Sequence, residues 1–437
     1  MRTEKDVLGE MDIPEDALYG INTARAMQNF DLGGRTAAPE LIRAIILVKK
    51  AAAMSYRKLK IGDEKVYAAI ERACDKALDG AYDGNFTTQA LQGGAGTSTN
   101  MNVNEVLANG ALLELGKKPG EYSAVHPVDD VNRGQSTNDV YPTALRIAAI
   151  KKLRELSDQC ARLQTALQEK ENLWEDIKKL GRTELMDAVP VSVGEEFGAY
   201  AQAIARDRWR LYKVEERLRQ VNIGGTAVGL ADASERRYRF DVIEELRQLT
   251  GYGLAAAEYP MDVTQNNDVF VEASGLIKAL AVNLTKISND LRLMNSGPYG
   301  GFGEIKLCEL QQGSSIMPGK INPVIPEMVM QCSMRVMAND SAIGMAASHG
   351  EFELNAFLPL IADSLLESLS LMTAAVRLFR EKCIEPLQVS AENCSRHLDA
   401  SYAFAVSYIG RLGYDTVSRV VHENPPAEAK KILDDMK

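Results

Sequence analysis

The segment 313–323 reads Gly-Ser-Ser-Ile-Met-Pro-Gly-Lys-Ile-Asn-Pro, and it brings two hydroxyls, one cation and one amide into a short stretch. Its two glycines let the backbone bend sharply. Such a loop suits a small anionic substrate, because Lys320 supplies charge, Asn322 can orient a carboxylate and a serine can contact the reacting carbon. The segment is not a phosphate-binding P-loop, since five residues instead of four separate its first glycine from the Gly-Lys pair and Ile321 follows the lysine.

Three other polar segments lie between helical patterns, at 96–100, 134–138 and 181–184. Taken alone, Thr97 and Ser136 are typical of helix N-caps. Taken together with the loop at 313–323, these segments offer many neutral donors and one cation but no nucleophile–histidine pair. This combination indicates a site that holds carboxylates by hydrogen bonds and moves a proton.

Three further residues near these segments need an interpretation. His126 precedes the segment 134–138, and we interpret it as a structural, hydrogen-bonding histidine. Glu327 begins the helical pattern after the loop, where a carboxylate interacts favourably with a helix N-terminus. Lys320 is fixed between Gly319 and Asn322 in a loop bounded by prolines, so we expect it to contact substrate rather than solvent alone.

Composition excludes several classes of protein. The chain has 437 residues, 46% of them hydrophobic, which predicts two or three domains. A formal net charge of -10 without a basic block argues against nucleic-acid binding. Six scattered cysteines form no metal-binding or disulfide pattern, so we expect no metal, no cofactor and a reducing, cytoplasmic location. An apolar signal segment and a run of 18 apolar residues are both missing, so we expect no membrane contact.

Apolar periodicity predicts a mainly α protein with scarce strands. A pattern from Leu145 to Leu167 predicts a helix of over 25 residues, which Gly181 would end. Several other patterns are apolar around much of their circumference, as helices inside a bundle or an oligomer are. The tail after residue 383 has shorter patterns, interrupted at Asn424-Pro425-Pro426. The other predicted helices cover 39–59, 65–79, 102–115, 194–220, 267–295, 323–345 and 356–381.

The loop pattern Gly-Ser-Ser-x-Met-Pro-x-Lys-x-Asn resembles the signature of the aspartase/fumarase superfamily. Phe197 and the segment 136–138 are most similar to the aspartate ammonia-lyase branch of that superfamily. The resemblance extends from about residue 5 to about residue 420. The other segments that resemble family signatures are 16–23, 96–105, 126–139, 181–190 and 222–229.

This resemblance implies three domains, at 1–133, 134–382 and 383–437, with a central bundle of five long helices. It also implies a homotetramer with a twenty-helix core, in which each active site takes loops from three subunits. The implied reaction is the reversible elimination of ammonia from L-aspartate to give fumarate, without a cofactor. The partners would be a small dicarboxylate or amino-acid substrate and the other subunits, with no nucleic acid.

The resemblance also implies a role for each residue. Ser314 would be the general base that removes a proton from Cβ, and Ser315 with the loop backbone would hold the carboxylate next to that carbon. Met317 belongs to the same substrate-binding loop, while His126 and Glu327 would support the site. The remaining residues would bind the α-carboxylate (Thr183, Lys320, Asn322), the β-carboxylate (Ser136, Thr137) and the leaving amino group (Thr97, Asn138).

Three positions depart from the family pattern. Glu184 stands where His or Gln is usual, Tyr299 where Arg is usual, and Gly134 where Ser is common. An anion at Glu184 would repel a second carboxylate and pair with an ammonium group, unless it turned aside to pair with a basic residue such as Arg182. The alternatives that stay open are a lyase for a modified or N-substituted aspartate, a fumarate hydratase, and a homologue that has lost catalysis and serves as a structural protein.

Overall fold

The computed structural model describes residues 1–231 and 236–436, and most of them lie in α-helices. The mainly α fold predicted from the sequence is confirmed. The helices are α1 Ile21–Asn29, α2 Pro39–Leu59, α3 Glu64–Leu78, α4 Thr97–Glu114, α5 Thr137–Leu173, α6 Val193–Leu218, α7 Arg236–Thr250, α8 Pro260–Gln265, α9 Asp268–Met294, α10 Val324–Ala347, α11 Leu358–Phe379, α12 Ala391–Asp399, α13 Val406–Leu412, α14 Tyr414–Glu423 and α15 Pro426–Asp435.

The strands of the described residues form only two-stranded sheets. The pairs β1–β2, β3–β4 and β7–β8 are antiparallel, and β5–β6 is parallel. The strands are β1 Arg2–Asp6, β2 Gly9–Ile13, β3 Lys178–Thr183, β4 Met186–Ser192, β5 Gln220–Val221, β6 Ala255–Ala256, β7 Ile305–Lys306 and β8 Gln388–Val389.

The boundaries of α4 and α5 differ most from the sequence prediction, and α7 was not predicted. Helix α4 begins at Thr97, five residues before the predicted start, because buried asparagines that interrupt its apolar pattern find hydrogen-bond partners. Helix α5 ends at Leu173, and Gly181 lies inside β3 instead of ending the helix. A Cβ at Gly181 would meet the Val189 carbonyl oxygen at 2.7 Å, so this glycine serves the close approach of β3 to β4.

One compact unit contains Met1–Glu155, Arg210–Lys278 and Val336–Leu371. In it, α2 packs against α3 and α7, and the Tyr56 ring stacks on Tyr67 and Tyr238 with centroids 5.4 and 4.6 Å away. The buried Glu105 carboxylate on α4 accepts the backbone N–H groups of Gly20, Asn22 and Thr23, which fastens the start of α1.

The second compact unit contains Leu156–Trp209, Ala279–Arg335 and Met372–Lys437, whose last residue lies outside the described residues. In it, α12 packs against β3. Its C-terminal helices bury Val417, Val420, Ala429 and Leu433, and α14 and α15 are separated at Asn424-Pro425 as predicted. The division into three domains at residues 133 and 382 stays a prediction.

The stretch Leu358–Ile384 is the one described helix that is long and apolar enough to cross a membrane, judged by length and composition. Of the most apolar 18-residue window in this helix, 61% is buried inside the protein. Core helices of soluble proteins meet the same criterion, so this is weak evidence for a membrane span.

Gly96 should be intolerant of substitution, because its φ is +93° and a Cβ would meet the Tyr141 ring at 2.3 Å. We expect Gly96→Ala to lower the free energy of unfolding by about 3 kcal/mol, from backbone strain and overpacking together. Gly94→Ala is the matched control, since φ is +85° but the nearest atom is 3.9 Å away. It should cost only about 1 kcal/mol. Urea unfolding of both variants measures the difference, and equal costs would contradict the steric argument.

Candidate active site

The segment before α5 forms a reciprocal helix cap. The Ser136 N–H donates to Asp139 Oδ1 at 2.9 Å, and the Asn138 N–H donates to Ser136 Oγ at 3.2 Å. This arrangement satisfies two donors that the helix N-terminus would otherwise leave unpaired. Ser136 therefore caps α5, and its hydroxyl hydrogen stays available because Oγ acts as the acceptor.

The Thr137 hydroxyl oxygen, like that of Ser136, accepts a hydrogen bond. Its Oγ1 accepts from Asn100 Nδ2 at 3.1 Å, and among the described residues neither the Ser136 nor the Thr137 hydroxyl donates a hydrogen bond. Thr137 is 8% exposed. Both hydroxyls can therefore donate to an anion placed beside this segment.

Asp139 joins this segment to the block 222–229. Its buried Oδ2 accepts the N–H groups of Gly224 and Thr226 at 3.0 and 2.9 Å. Burial raises the pKa of Asp139 to about 7, against the effect of its backbone hydrogen bonds. Asn138 Nδ2 adds a bond to the Ala227 carbonyl at 2.8 Å, which leaves Asn138 Oδ1 as an acceptor.

Thr97 and His126 make local contacts in the same unit. The exposed Thr97 hydroxyl donates to the Gly94 carbonyl at 2.8 Å, so its lone pairs remain free to accept. His126 Nδ1 accepts the N–H groups of Val128 and Asp129 at 3.2 and 3.0 Å. The imidazole thus caps the turn Pro127–Val131, as expected of a structural histidine.

In the second unit, the loop 313–322 closes on itself. The Gly313 N–H donates to the Lys320 carbonyl at 2.8 Å, and Asn322 Nδ2 donates to the Gly313 carbonyl at 2.8 Å. A Cβ at Gly313 would meet the Lys320 carbonyl oxygen at 2.5 Å, so only glycine fits there. The loop shape therefore depends on Gly313 and Asn322.

Ser314 sits at the start of this closed loop. Its Oγ accepts the N–H groups of Ile316 and Met317 at 3.1 and 2.8 Å. Ser315, Met317 and Lys320 are exposed, and within residues 1–231 and 236–436 the Lys320 ammonium makes no ion pair. The loop thus carries both an exposed cation, Lys320, and a serine oxygen that two amides stabilise.

Thr183 and Glu184 lie at the tip of the β3–β4 hairpin. Thr183 pairs with Met186, and the two turn residues between them, Glu184 and Leu185, have φ of 55° and 66°. All four side chains are exposed. Two consecutive left-handed residues match the turn type that best suits the twist of a hairpin.

A buried ion-pair cluster supports the base of this hairpin. Glu304 is fully buried and lies 2.8 Å from Arg182 and 3.0 Å from Lys179, and the Arg182 guanidinium covers the Phe302 ring at 4.2 Å. Arg182 therefore pairs with Glu304, not with Glu184. Burial alone would raise the pKa of Glu304, but the hydrogen bond from Arg182 and the charge of Lys179 outweigh it and hold the pKa below its usual value.

The other two expected positions are less constrained. Glu327, in the first turn of α10, lies 3.7 Å from the Arg292 guanidinium. Tyr299 is fully exposed. Among the described residues, no group of three or more His, Cys, Asp or Glu side chains is placed to hold a metal ion.

Each unit thus collects part of the predicted site: 136–138 with 224–227 in one, and 313–322 in the other. Four residues that hold these parts in place are not among the site residues predicted from the sequence: Lys49, Asn100, Asp139 and Glu304. Lys49 gives the clearest signal in the sequence, because it is a charged residue on the apolar face of α2. The pairing of Glu304 with Arg182 joins residues far apart in the chain, and no local spacing reveals it.

Known proteins share the sequence and the fold of this chain over most of its length. Residues 9–338 match the family described as Lyase. The chain is 40% identical to an aspartate ammonia-lyase from Bacillus sp over 423 residues, which are 97% of this chain and 90% of the relative. The chain belongs to this lyase family. It is a carbon–nitrogen lyase, as expected from the resemblance.

Further relatives agree with this assignment. An aspartate ammonia-lyase from Pseudomonas aeruginosa is 42% identical over 96% of this chain and 89% of the relative. A fumarate lyase/delta-crystallin structure from Brucella melitensis, bound to cobalt, has a TM-score of 0.95 at 42% identity, covering 100% of this chain and 96% of that one. A class II fumarase structure from Schistosoma mansoni has a TM-score of 0.96 at 31% identity, covering 100% and 96%.

Removing the Glu304 carboxylate should destabilise the protein in a pH-dependent way. We expect Glu304→Gln to lower the free energy of unfolding by about 3 kcal/mol at pH 7, because it removes the ion-pair partner of Arg182 and one of the two ion-pair partners of Lys179. The folded pKa is depressed, so the contribution of Glu304 is complete above its usual value of 4.5 and is lost as the pH falls through the folded value. The difference between wild type and variant should therefore shrink below pH 4.5.

The matched control is Glu309→Gln, which removes an exposed carboxylate 3.1 Å from Lys306. Exposed pairs contribute less than about 1 kcal/mol, so this variant should unfold nearly as the wild type does. Urea unfolding at pH 7 and pH 4 compares the three proteins. A Glu304→Gln cost that does not change with pH would contradict the ion-pair explanation.

Proposed function

We propose that this chain catalyses the reversible elimination of ammonia from L-aspartate to give fumarate, with Ser314 as the base that removes the Cβ proton. The observation that carries the proposal is the pair of backbone N–H groups, from Ile316 and Met317, directed at Ser314 Oγ. Serine is a poor base unless its alkoxide is stabilised, and oriented amides supply that stabilisation.

The chemistry needs many donors beside the reacting carbon. A proton next to a carboxylate is only weakly acidic, and its removal creates a dianionic aci-carboxylate. Preorganised donors aimed at the developing charge stabilise such a species more than they stabilise the substrate. Ser315 and the loop backbone lie close to Ser314 in the chain and would hold this carboxylate, and Met317 contributes its N–H to the same loop.

Further residues would complete the binding of the two carboxylates. The outward hydroxyls of Ser136 and Thr137 would hold the β-carboxylate, because both oxygens already accept internal bonds. The Lys320 ammonium would pair with the α-carboxylate, together with Thr183. Asn322 Nδ2 donates one hydrogen to the Gly313 carbonyl, and its second hydrogen can be donated to the α-carboxylate.

The amino group requires acceptors instead of donors. Asn138 directs its Nδ2 to the Ala227 carbonyl and keeps Oδ1 for an ammonium. Thr97 donates its hydroxyl hydrogen to the Gly94 carbonyl and keeps its lone pairs. Both side chains therefore keep acceptor atoms for a protonated amine, which can only donate hydrogen bonds.

We further propose a cytoplasmic homotetramer whose active sites take loops from three subunits. The homotetramer is supported by the large apolar side chains that the long helices expose. Helices that face only solvent normally expose fewer such side chains. These side chains include Trp209, Tyr212, Val282, Met334 and Met345.

A second candidate substrate is an N-substituted aspartate. Glu184 favours it, because its carboxylate is exposed and makes no ion pair within residues 1–231 and 236–436, and the exposed Leu185 and Met186 follow it. An anion beside apolar side chains suits a substituted ammonium group. Fumarate hydration is favoured less, since malate offers no positive charge to Glu184. The intact Ser314, Lys320 and Asn322 argue against a homologue that has lost catalysis.

One assay tests the proposal and separates the candidates. The absorbance of fumarate is followed after the enzyme is mixed with L-aspartate, then with N-methyl-L-aspartate, then with malate. Fumarate from aspartate supports the main proposal, whereas fumarate only from N-methylaspartate or only from malate replaces it with the corresponding alternative. Absence of fumarate from all three would refute lyase activity on this substrate class.

Ser314→Ala should lower kcat by about a hundredfold or more, with KM for aspartate changed only a few-fold, because the base acts mainly in the transition state. Ser315→Ala is the matched control, since it removes a neighbouring hydroxyl that would bind a carboxylate and should affect KM as well as kcat. Steady-state kinetics by fumarate absorbance measure both variants. Wild-type turnover in Ser314→Ala would place the base elsewhere.

Glu184→Gln should weaken the binding of aspartate but leave fumarate affinity nearly unchanged, because only aspartate offers an ammonium to the carboxylate. Removal of an exposed charge pair of this kind costs about 1 kcal/mol, which corresponds to about a fivefold rise in the dissociation constant of aspartate. Glu184→His should in turn improve any side reaction with malate. Inhibition and saturation kinetics compare the two ligands, and equal effects on both would show that Glu184 does not face the amine.

A further inference from the structure

Lys49 is a buried cation that the proposed chemistry does not yet use. It lies on α2 and is 1% exposed. Its Nζ donates to Asn132 Oδ1 at 2.8 Å and to Gln135 Oε1 at 3.0 Å. An ammonium group has three hydrogens to donate and no lone pair to accept, so each amide must turn its oxygen toward Lys49.

This requirement fixes both amides. Asn132 directs its oxygen to Lys49 and its Nδ2 to the Gln135 carbonyl at 3.1 Å. Gln135 directs its Nε2 to the Val131 carbonyl at 3.1 Å. Reversal of either amide would place N–H groups against N–H groups, and unpaired buried donors are costly.

The orientation passes from Asn132 to α4. Asn132 Oδ1 also accepts from Asn100 Nδ2 at 3.2 Å and from Asn104 Nδ2 at 3.1 Å. Asn100 is 1% exposed, and its Nδ2 uses its other hydrogen on Thr137 Oγ1 at 3.1 Å. Thr137 Oγ1 is therefore an acceptor inside the protein, and its hydroxyl hydrogen must point elsewhere.

We propose that Lys49 is a positioning residue that sets the direction of this hydrogen-bond chain, so that the Thr137 hydroxyl donates outward to the substrate carboxylate. The proposal rests on the proposed function, in which Thr137 binds the β-carboxylate. Without the ammonium, Asn132 and Asn100 can rotate, and Asn100 can offer its oxygen to Thr137. The Thr137 hydrogen is then used internally and is lost to the substrate.

The direction-setting role belongs to the protonated form of Lys49. Burial lowers the pKa of Lys49 to about 7, and the carboxylate of Asp139 and the Cys74 thiol only partly oppose this. A buried charge of this kind does not stabilise a fold more than an apolar side chain of similar volume would. What the cation contributes here, and a methionine cannot, is the fixed polarity of its hydrogen bonds.

Four proteins test the proposal: wild type, Lys49→Met, Thr137→Val and the double variant. The measurement is the inhibition constant of succinate, a dicarboxylate without an amine, in the aspartate assay. Each single variant should raise this constant about tenfold, the effect of losing a hydrogen bond to a charged group. If Lys49 acts through Thr137, the double variant should lie within about twofold of Thr137→Val alone, because the two effects are coupled.

Lys50→Met is the matched control. Lys50 neighbours Lys49 on α2 and pairs with Asp75 instead of the amide chain. It should leave the succinate constant unchanged. Urea unfolding of every variant accompanies the kinetics, because a merely structural Lys49 would change stability without coupling to Thr137. If Lys49→Met does not fold, Lys49→Gln replaces it, since a glutamine can face Asn132 with either end.

The outcomes separate the two claims. Multiplied single effects in the double variant, or a Lys49→Met enzyme with the wild-type succinate constant, overturn the positioning role while the proposed function stands. A wild type that neither converts aspartate nor is inhibited by succinate overturns the proposed function and the positioning role with it. Coupled effects with an unchanged Lys50→Met control support the assignment.

Discussion

The amide oxygen of Asn132 accepts hydrogen bonds from Lys49, Asn100 and Asn104. The buried amides of the first compact unit that lie near α5 are oriented by these bonds. Three donors on one oxygen leave a single arrangement of the surrounding amides. The start of α5, with its cap and its outward hydroxyls, follows from that arrangement. Asp139 extends it to 224–226 through two more backbone bonds. A buried hydrogen-bond network with one arrangement of donors and acceptors orients groups more strictly than apolar packing does.

The second unit reaches the same end by other means. Its serine loop uses backbone amides and one asparagine instead of a side-chain network, and Gly313 permits the close approach. The hairpin with Thr183 depends on the ion pair between Arg182 and Glu304. In both units, some side chains use only their acceptor or only their donor atoms in internal hydrogen bonds. The remaining donors or acceptors of these side chains are left for a ligand. The proposed function needs outward donors for the substrate carboxylates and outward acceptors for the substrate amine.

Local patterns in the sequence predicted most of the long helices but not α1 or α7, because apolar periodicity depends on neighbours in the chain. The mistaken boundaries have physical causes: α4 begins early since its buried asparagines find partners, and Gly181 serves strand pairing instead of ending α5. Candidate site residues came from glycine-rich polar segments and from family resemblance. Lys49 and Glu304 escaped both, because their importance lies in contacts with residues over 80 and 100 positions away. Spacing alone does not contain that information.

The turn at Glu184 and Leu185 has a consequence for protein engineering. Both residues hold a left-handed backbone that glycine and asparagine adopt more readily, at roughly 1 kcal/mol of strain each. A designer who sought thermal robustness would choose Asn-Gly at this tip, and the hairpin would gain rigidity. The same exchange would delete the Glu184 carboxylate, which we propose to face the substrate amine. Under the proposed function, substrate selectivity and thermal stability therefore make opposite demands on the same two positions.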